Sequence, residues 1–383
     1  MTLHASASAR RMQPFRPLFF AAAAFASLGM LAWGTFLHLG WLPESALPPL
    51  LWHGHEMLFG FAGALIGGFL LTAVANWTGR TPVGPRTLTL LVTAWLGARI
   101  ALLTPAPMWF AAACELGYLL GLVVAMAQVV MATQNRRNYF VIALLAVYAG
   151  LDISFFVGAA GDAALASRAL IWTVDWLTLL MLAIGGRVIP FFTVRRLPGI
   201  GAMDRRTPAL AVNLGAALAL VLDVAGASAS LRGLWWLLLA AAALARMLHW
   251  RGWRSGGESM LWPLHLGYLW LAAGMALRGA ALVGALARPE TETLHAITVG
   301  ALGTLSVAMM TRVTQGHSGA TIAANRWLAL AFLLPSAAAL LRLSGQPALW
   351  PAAAVAWTLA YLIYLLATGA LLLRGASSPA APG

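Results

Sequence analysis

Twelve apolar runs of roughly 17 to 27 residues follow one another along the chain, each long enough to cross a hydrocarbon layer of about 30 Å. A run of that length with so few charges must satisfy its own backbone hydrogen bonds in lipid, and a helix does this within one segment. The runs extend from Leu18 to Leu39, Leu50 to Trp77, Thr87 to Leu103, Met108 to Met131, Tyr139 to Gly158 and Arg168 to Thr193. The second six are Pro208 to Val224, Arg232 to Trp250, Met260 to Leu286, Thr293 to Thr311, Trp327 to Leu343 and Leu349 to Leu373. Pro- and Gly-rich breaks such as Leu47-Pro48-Pro49, Thr104-Pro105-Ala106-Pro107 and Ser344-Gly345-Gln346-Pro347 separate them. The expected fold is an all-α polytopic bundle of about twelve spans. It forms one transmembrane domain over residues 18–373, between tails at 1–17 and 374–383.

Composition agrees: 61% of the 383 residues are hydrophobic and only 9% charged, against about a quarter charged in soluble domains. Every one of the 24 basic residues is arginine. In a membrane chain this excess reports topology, and it gives no support to a nucleic-acid partner. With the N-terminus inside, 18 of the 24 arginines fall at inner ends, including Arg136, Arg137, Arg195, Arg196, Arg205, Arg206, Arg251 and Arg254. The expected orientation is therefore N-in and C-in. The single cysteine, Cys114, excludes an intrachain disulfide, a CxxC site and a CxxCH haem attachment, so any haem is held non-covalently.

Two groups of histidines stand out against this apolar background. His53, His55 and His295 fall toward the outer face, and His249, His265 and His317 toward the inner face. Imidazole is a common ligand for haem iron, copper and zinc, and ionisable groups inside spans are functional candidates. In Trp52-His53-Gly54-His55-Glu56, an ideal helix puts His53 and Glu56 on one face with Gly60, Ala64 and Gly67, and turns His55 about 160° away. The metal candidates are His53, His55, Glu56 and His295, with His53, Glu56 and His295 expected to form one outer site. His265, one turn inside its span, is the expected inner haem ligand, with His249 and His317 near it. Arg187, beside Gly185-Gly186 and Pro190, either braces a kinked helix or holds an anionic group such as a haem propionate. Asp152, Asp175, Glu115, Arg99 and Arg278 are read as ion pairs, and the tryptophans as an interfacial belt.

The run from Trp52 to Phe61, Gly68 to Gly79, Gly186-Arg187-Val188-Ile189-Pro190-Phe191-Phe192-Thr193, His265-Leu266-Gly267-Tyr268, and His295 through Gly319 together resemble the NnrS family over nearly the whole chain. The resemblance implies a twelve-span protein of the bacterial inner membrane, containing haem and copper. It also implies a part in the nitric-oxide response, with a link to denitrification and nitrosative stress. It assigns no role to any single histidine. Three classes stay open: an enzyme converting NO at a haem and metal site, a proton- or metal-linked transporter, and a non-catalytic haem sensor or assembly partner. The bilayer and NO are the expected partners; no electron donor can be named.

Overall fold

In the computed structural model, residues 13–41, 45–197, 199 and 206–373 are described. They form twelve long helices and no strand. The first six are α1 (Phe15–Leu39), α2 (Pro49–Thr78), α3 (Pro85–Leu102), α4 (Met108–Ala132), α5 (Tyr139–Ala159) and α6 (Ala163–Arg196). The second six are α7 (Arg206–Val224), α8 (Ala229–His249), α9 (Trp262–Leu282), α10 (Glu290–His317), α11 (Arg326–Leu343) and α12 (Trp350–Leu373). Each answers to one expected apolar run, with ends displaced by a few residues. Helix α1 begins at Phe15, so the last residues assigned to the N-terminal tail belong to the first span. Residues 1–12 of that tail, and the C-terminal one, lie outside the described residues.

Local chemistry sets the ends. Proline opens α2, α3 and α9 within the first two positions, where its missing N–H costs nothing. Asp162 caps α6 by accepting from Leu165 N at 3.0 Å, and Asn325 caps α11 by accepting from Leu328 N at 3.0 Å. Gly40 and Gly79 end α1 and α2 in the left-handed conformation, which only glycine adopts without strain. Ten of the twelve helices are long and apolar enough to cross a membrane by length and composition. The other two, α3 and α9, carry Arg86 and Arg99, and His265 and Arg278, which dilute their apolar character.

Two helices sit at the centre. Buried positions make up 83% of the apolar window of α2 and 78% of that of α10, against 22–56% in the other eight spanning candidates. Both centres are glycine-rich because neighbours press on them. A Cβ on Gly68 would meet the Phe19 ring at 2.8 Å, one on Gly300 the Trp270 indole at 2.6 Å, and one on Gly303 would meet Trp357 at 2.7 Å. Without a hydrophobic drive between helices in lipid, such close backbone approach is what holds them together.

The two central helices share a second feature. Each contains one wide π-turn, Glu56–Phe61 in α2 and Ala296–Ala301 in α10. His55 and His295 immediately precede these turns. A π-turn spoils the regular backbone ladder, and in α2 side chains from three neighbours reach carbonyls in the turn or just after it. Tyr148 donates to Leu58 O (2.5 Å), Trp95 to Gly60 O (2.8 Å) and Tyr118 to Gly63 O (2.9 Å). These bonds tie α5, α3 and α4 to the distorted segment, as a water-free interior requires.

The N-terminal end of α1 meets the C-terminal ends of α10 and α12. Arg16 donates to Leu371 O and to Ser318 Oγ, and the Phe15 and His317 rings lie 5.7 Å apart. The two ends of the described chain therefore share one face of the bundle. That face also carries Arg136, Arg137, Arg195, Arg196, Arg251 and Arg254, and is called the arginine-rich face below.

Candidate functional site

At the face opposite the arginine-rich one, the histidines of α2 part company. His55 is fully buried between the Phe59 and Phe155 rings, at centroid distances of 5.0 and 4.5 Å. Its Nδ1 lies 3.1 Å from Glu56 Oε1 and its Nε2 lies 3.0 Å from Asp152 Oδ1. Glu56 continues the chain of contacts to Arg99, whose Nε lies 3.1 Å from Glu56 Oε2, and Arg99 also pairs with Glu115. Every member of this network is buried, so each charge depends on the others. The helical-wheel reading is corrected here. Glu56 does share a face with Gly60, against which Arg99 and Phe25 pack, but its partner is His55 and not His53.

His53 turns the other way. Its ring stacks on Trp33, with centroids 4.2 Å apart and planes 8° apart. It lines a cavity of about 80 Å³ together with His295, Arg342, Met57, Trp350 and Trp357. His295 enters from α10, with Nδ1 3.2 Å from Glu292 O. Hence His53 and His295 meet at one cavity, as expected, while His55 and Glu56 do not line it. Among the described residues no group of three His, Cys, Asp or Glu side chains is arranged to hold a metal ion. A third donor at this cavity would have to be a thioether, and Met57 and Met30 both line it. Two imidazoles with a thioether suit a soft ion such as copper.

A second buried network joins five helices on the same face. Arg278, fully buried, pairs with Asp175 of α6, with Asp223 of α7 at 3.2 Å and with Glu290 of α10 at 2.6 Å. Arg232 of α8 also pairs with Asp223, and Trp236 lies under Arg278 with its centroid 4.6 Å from Cζ. The ion-pair reading of Asp175 and Arg278 foresaw the type of contact. Asp223 and Glu290 were missed because nothing in their local sequence points to a residue 55 or 12 positions away. The one available signal was that nine of the eleven acids fall at this face under the arginine-derived topology.

At the arginine-rich face the chemistry changes. A cavity of about 680 Å³ is lined by Arg137, Arg187, Arg195, His317 and Trp77 among others, and no carboxylate lines it. Arg187 donates to Asn138 Oδ1 at 3.2 Å and lies over Trp77 and Phe140. Beside it, Arg246 of α8 packs against Gly186 and donates to Leu182 O at 3.2 Å. Arg187 itself faces the cavity.

The three inner histidines do not converge. His265 is buried with Nε2 2.9 Å from Thr193 Oγ1, packs against Gly252 and does not line the large cavity. His249, on the outer surface of α8, bonds to Ala245 O at 2.8 Å. Only His317 lies at the arginine cavity. A third, apolar cavity of about 110 Å³ lies between the two sites, sharing Leu302 with the histidine cavity and Phe69, Ile184, Val188 and Met309 with the arginine cavity.

These features define a multi-pass membrane protein whose two central helices carry histidines at π-turns, with a compact donor cavity at one end and a roomy cationic cavity at the other. Residues 10–375 match the family described as NnrS protein, and the chain belongs to that family. No curated protein and no solved structure matches it.

Proposed function

We propose that the chain is a haem- and copper-binding protein of the bacterial cytoplasmic membrane that acts in the response to nitric oxide, with a link to denitrification. Family membership supports the nitric-oxide role. The observation that carries the cofactor reading is the pairing of His53 and His295 at one cavity from the two most buried helices. The buried Nδ1 of His53, which has no hydrogen-bond partner, and the sulfurs of Met57 and Met30 fit a copper ion. At the other end, the 680 Å³ cavity has the bulk for a macrocycle. Three guanidiniums there suit its carboxylates, and His317 offers an imidazole to the iron.

Bound haem would supply an iron that takes up NO, and copper a second redox centre. The chain's own residues hold these groups at opposite ends of the bundle, with apolar packing between them. The apolar middle cavity, in which Ser306 is already bonded to Tyr361 at 2.6 Å, is lined by no ionisable side chain that could relay a proton. That favours cofactor chemistry over a proton-linked path.

The test is a visible spectrum with metal analysis of the purified protein. The expected result is a Soret band lost in His317→Ala and copper lost in both His53→Ala and His295→Ala. Metal-replete protein with neither Soret band nor copper overturns the reading and favours a transporter. Anaerobic NO consumption by reduced, reconstituted protein then separates an enzyme from a sensor or assembly partner.

A further inference from the structure

The histidine cavity holds three unmet donors. Among its lining side chains, Arg342 Nη1, Trp350 Nε1 and Trp357 Nε1 are buried nitrogens without a hydrogen-bond partner. A guanidinium and an indole can only donate. No carboxylate lines the cavity, and the one hydroxyl, on Thr298, is turned back to Leu294 O at 3.1 Å.

Arg342 differs from the other arginines of this face. Arg99 and Arg278 are each surrounded by buried carboxylates, whereas Arg342 rests on the Trp350 ring at 3.9 Å and makes no ion pair among the described residues. The nearby Glu292 is engaged by Arg288 at 3.5 Å. A half-buried cation beside several unmet donors in an apolar wall is costly unless something negative completes it.

We propose that this cavity binds a small inorganic monoanion, with Arg342 supplying the charge and the Trp350 and Trp357 indoles supplying directed donors. Its volume of about 80 Å³ suits an anion of a few atoms, such as nitrite or azide, since one water occupies roughly 30 Å³ in the liquid. The guanidinium fork and an indole N–H meet the lone pairs of such an ion from different sides. The proposal shares the cavity with the copper reading but does not require the metal.

Full-length protein, metal-stripped in one preparation and copper-loaded in another, is titrated with nitrite and with azide by calorimetry, with sulfate as an oversized control. Saturable binding of the two small anions is expected in the wild type. Affinity should fall at least tenfold in Arg342→Gln, less in Arg342→Lys, several-fold in Trp357→Phe, and not at all in the surface variant Arg168→Gln. Absence of saturable binding, or equal affinity in wild type and Arg342→Gln, overturns the proposal. Should Arg342→Gln fail to accumulate, unchanged affinity in both Arg342→Lys and Trp357→Phe does so. Copper content, measured on the same samples, reads the metal assignment separately: anion binding without copper keeps this inference and removes that reading, and the converse removes this one.

Discussion

Arg342 apart, the two ends of the bundle use arginine in opposite ways. At the histidine end, Arg99 and Arg278 are buried and enclosed by carboxylates from neighbouring helices, so their charge is spent on holding helices together. At the arginine-rich end, Arg137, Arg187 and Arg195 line a large cavity that contains no carboxylate. A buried cation whose partners are built into the fold is structural, and one that faces a cavity without carboxylates is available to an anionic ligand. The same residue type thus carries two different roles, and only its neighbours tell them apart.

The sharpest way to break this comparison is to remove a guanidinium from the histidine end. Arg278→Leu strands Asp175 and leaves Asp223 and Glu290 with Arg232 alone, and breaking a buried pair on one side costs about 3–5 kcal/mol. Membrane abundance and the midpoint of thermal unfolding in detergent should both fall steeply. Wild-type behaviour of this variant would show that the network is not structural.

A smaller effect is expected at His55. His55→Ala removes a hydrogen-bond partner from both Glu56 and Asp152, and leaving buried polar groups unmet costs roughly 1–3 kcal/mol. His53→Ala should leave stability near wild type and lower copper content instead. Copper loss in His55→Ala at undiminished stability would reverse the division drawn between the two histidines.

Smaller again is the change expected at Arg187. Among the described residues its one hydrogen-bond partner is an Asn138 oxygen, beside ring contacts with Trp77 and Phe140, so Arg187→Gln should shift stability by about 1 kcal/mol. Haem retention should drop, read as the ratio of Soret to protein absorbance. A large stability loss with full haem content would place Arg187 with the structural arginines.

No stability change attends the last measurement, reporter fusions after Arg137, Arg254, Asp162 and Leu286. The first two should report cytoplasm and the last two the outside. A single inverted pair would mean that the cationic cavity opens to the other compartment.

Much of the architecture was legible in the sequence. The length of each apolar run sets a helix of spanning size, and the Pro and Gly breaks mark helix ends, because these depend on residues a few positions apart. The pairing of His53 with His295 was also foreseen, from shared topology and small-residue helices. The relation of His55 to Glu56 was not. An ideal rotation of about 100° per residue cannot anticipate a π-turn beginning at Glu56, nor the Asp152 carboxylate that holds the ring from another helix. His265 does not share the large cavity with His317: its Nε2 is met by Thr193 of α6, 72 positions away, which no local pattern records, and its buried Nδ1 has no hydrogen-bond partner among the described residues.

What the sequence determined by itself was the class of fold, the count of helices and the concentration of acids at one face and arginines at the other. These follow from transfer energies that each residue carries wherever it goes. The tertiary structure decided which charges are consumed in pairs and which face a cavity, because a burial cost is cancelled only by a partner within about 4 Å. Those partners come from helices up to 103 positions apart, as Asp175 and Arg278 do. Helix packing brings them together, and no local pattern records it.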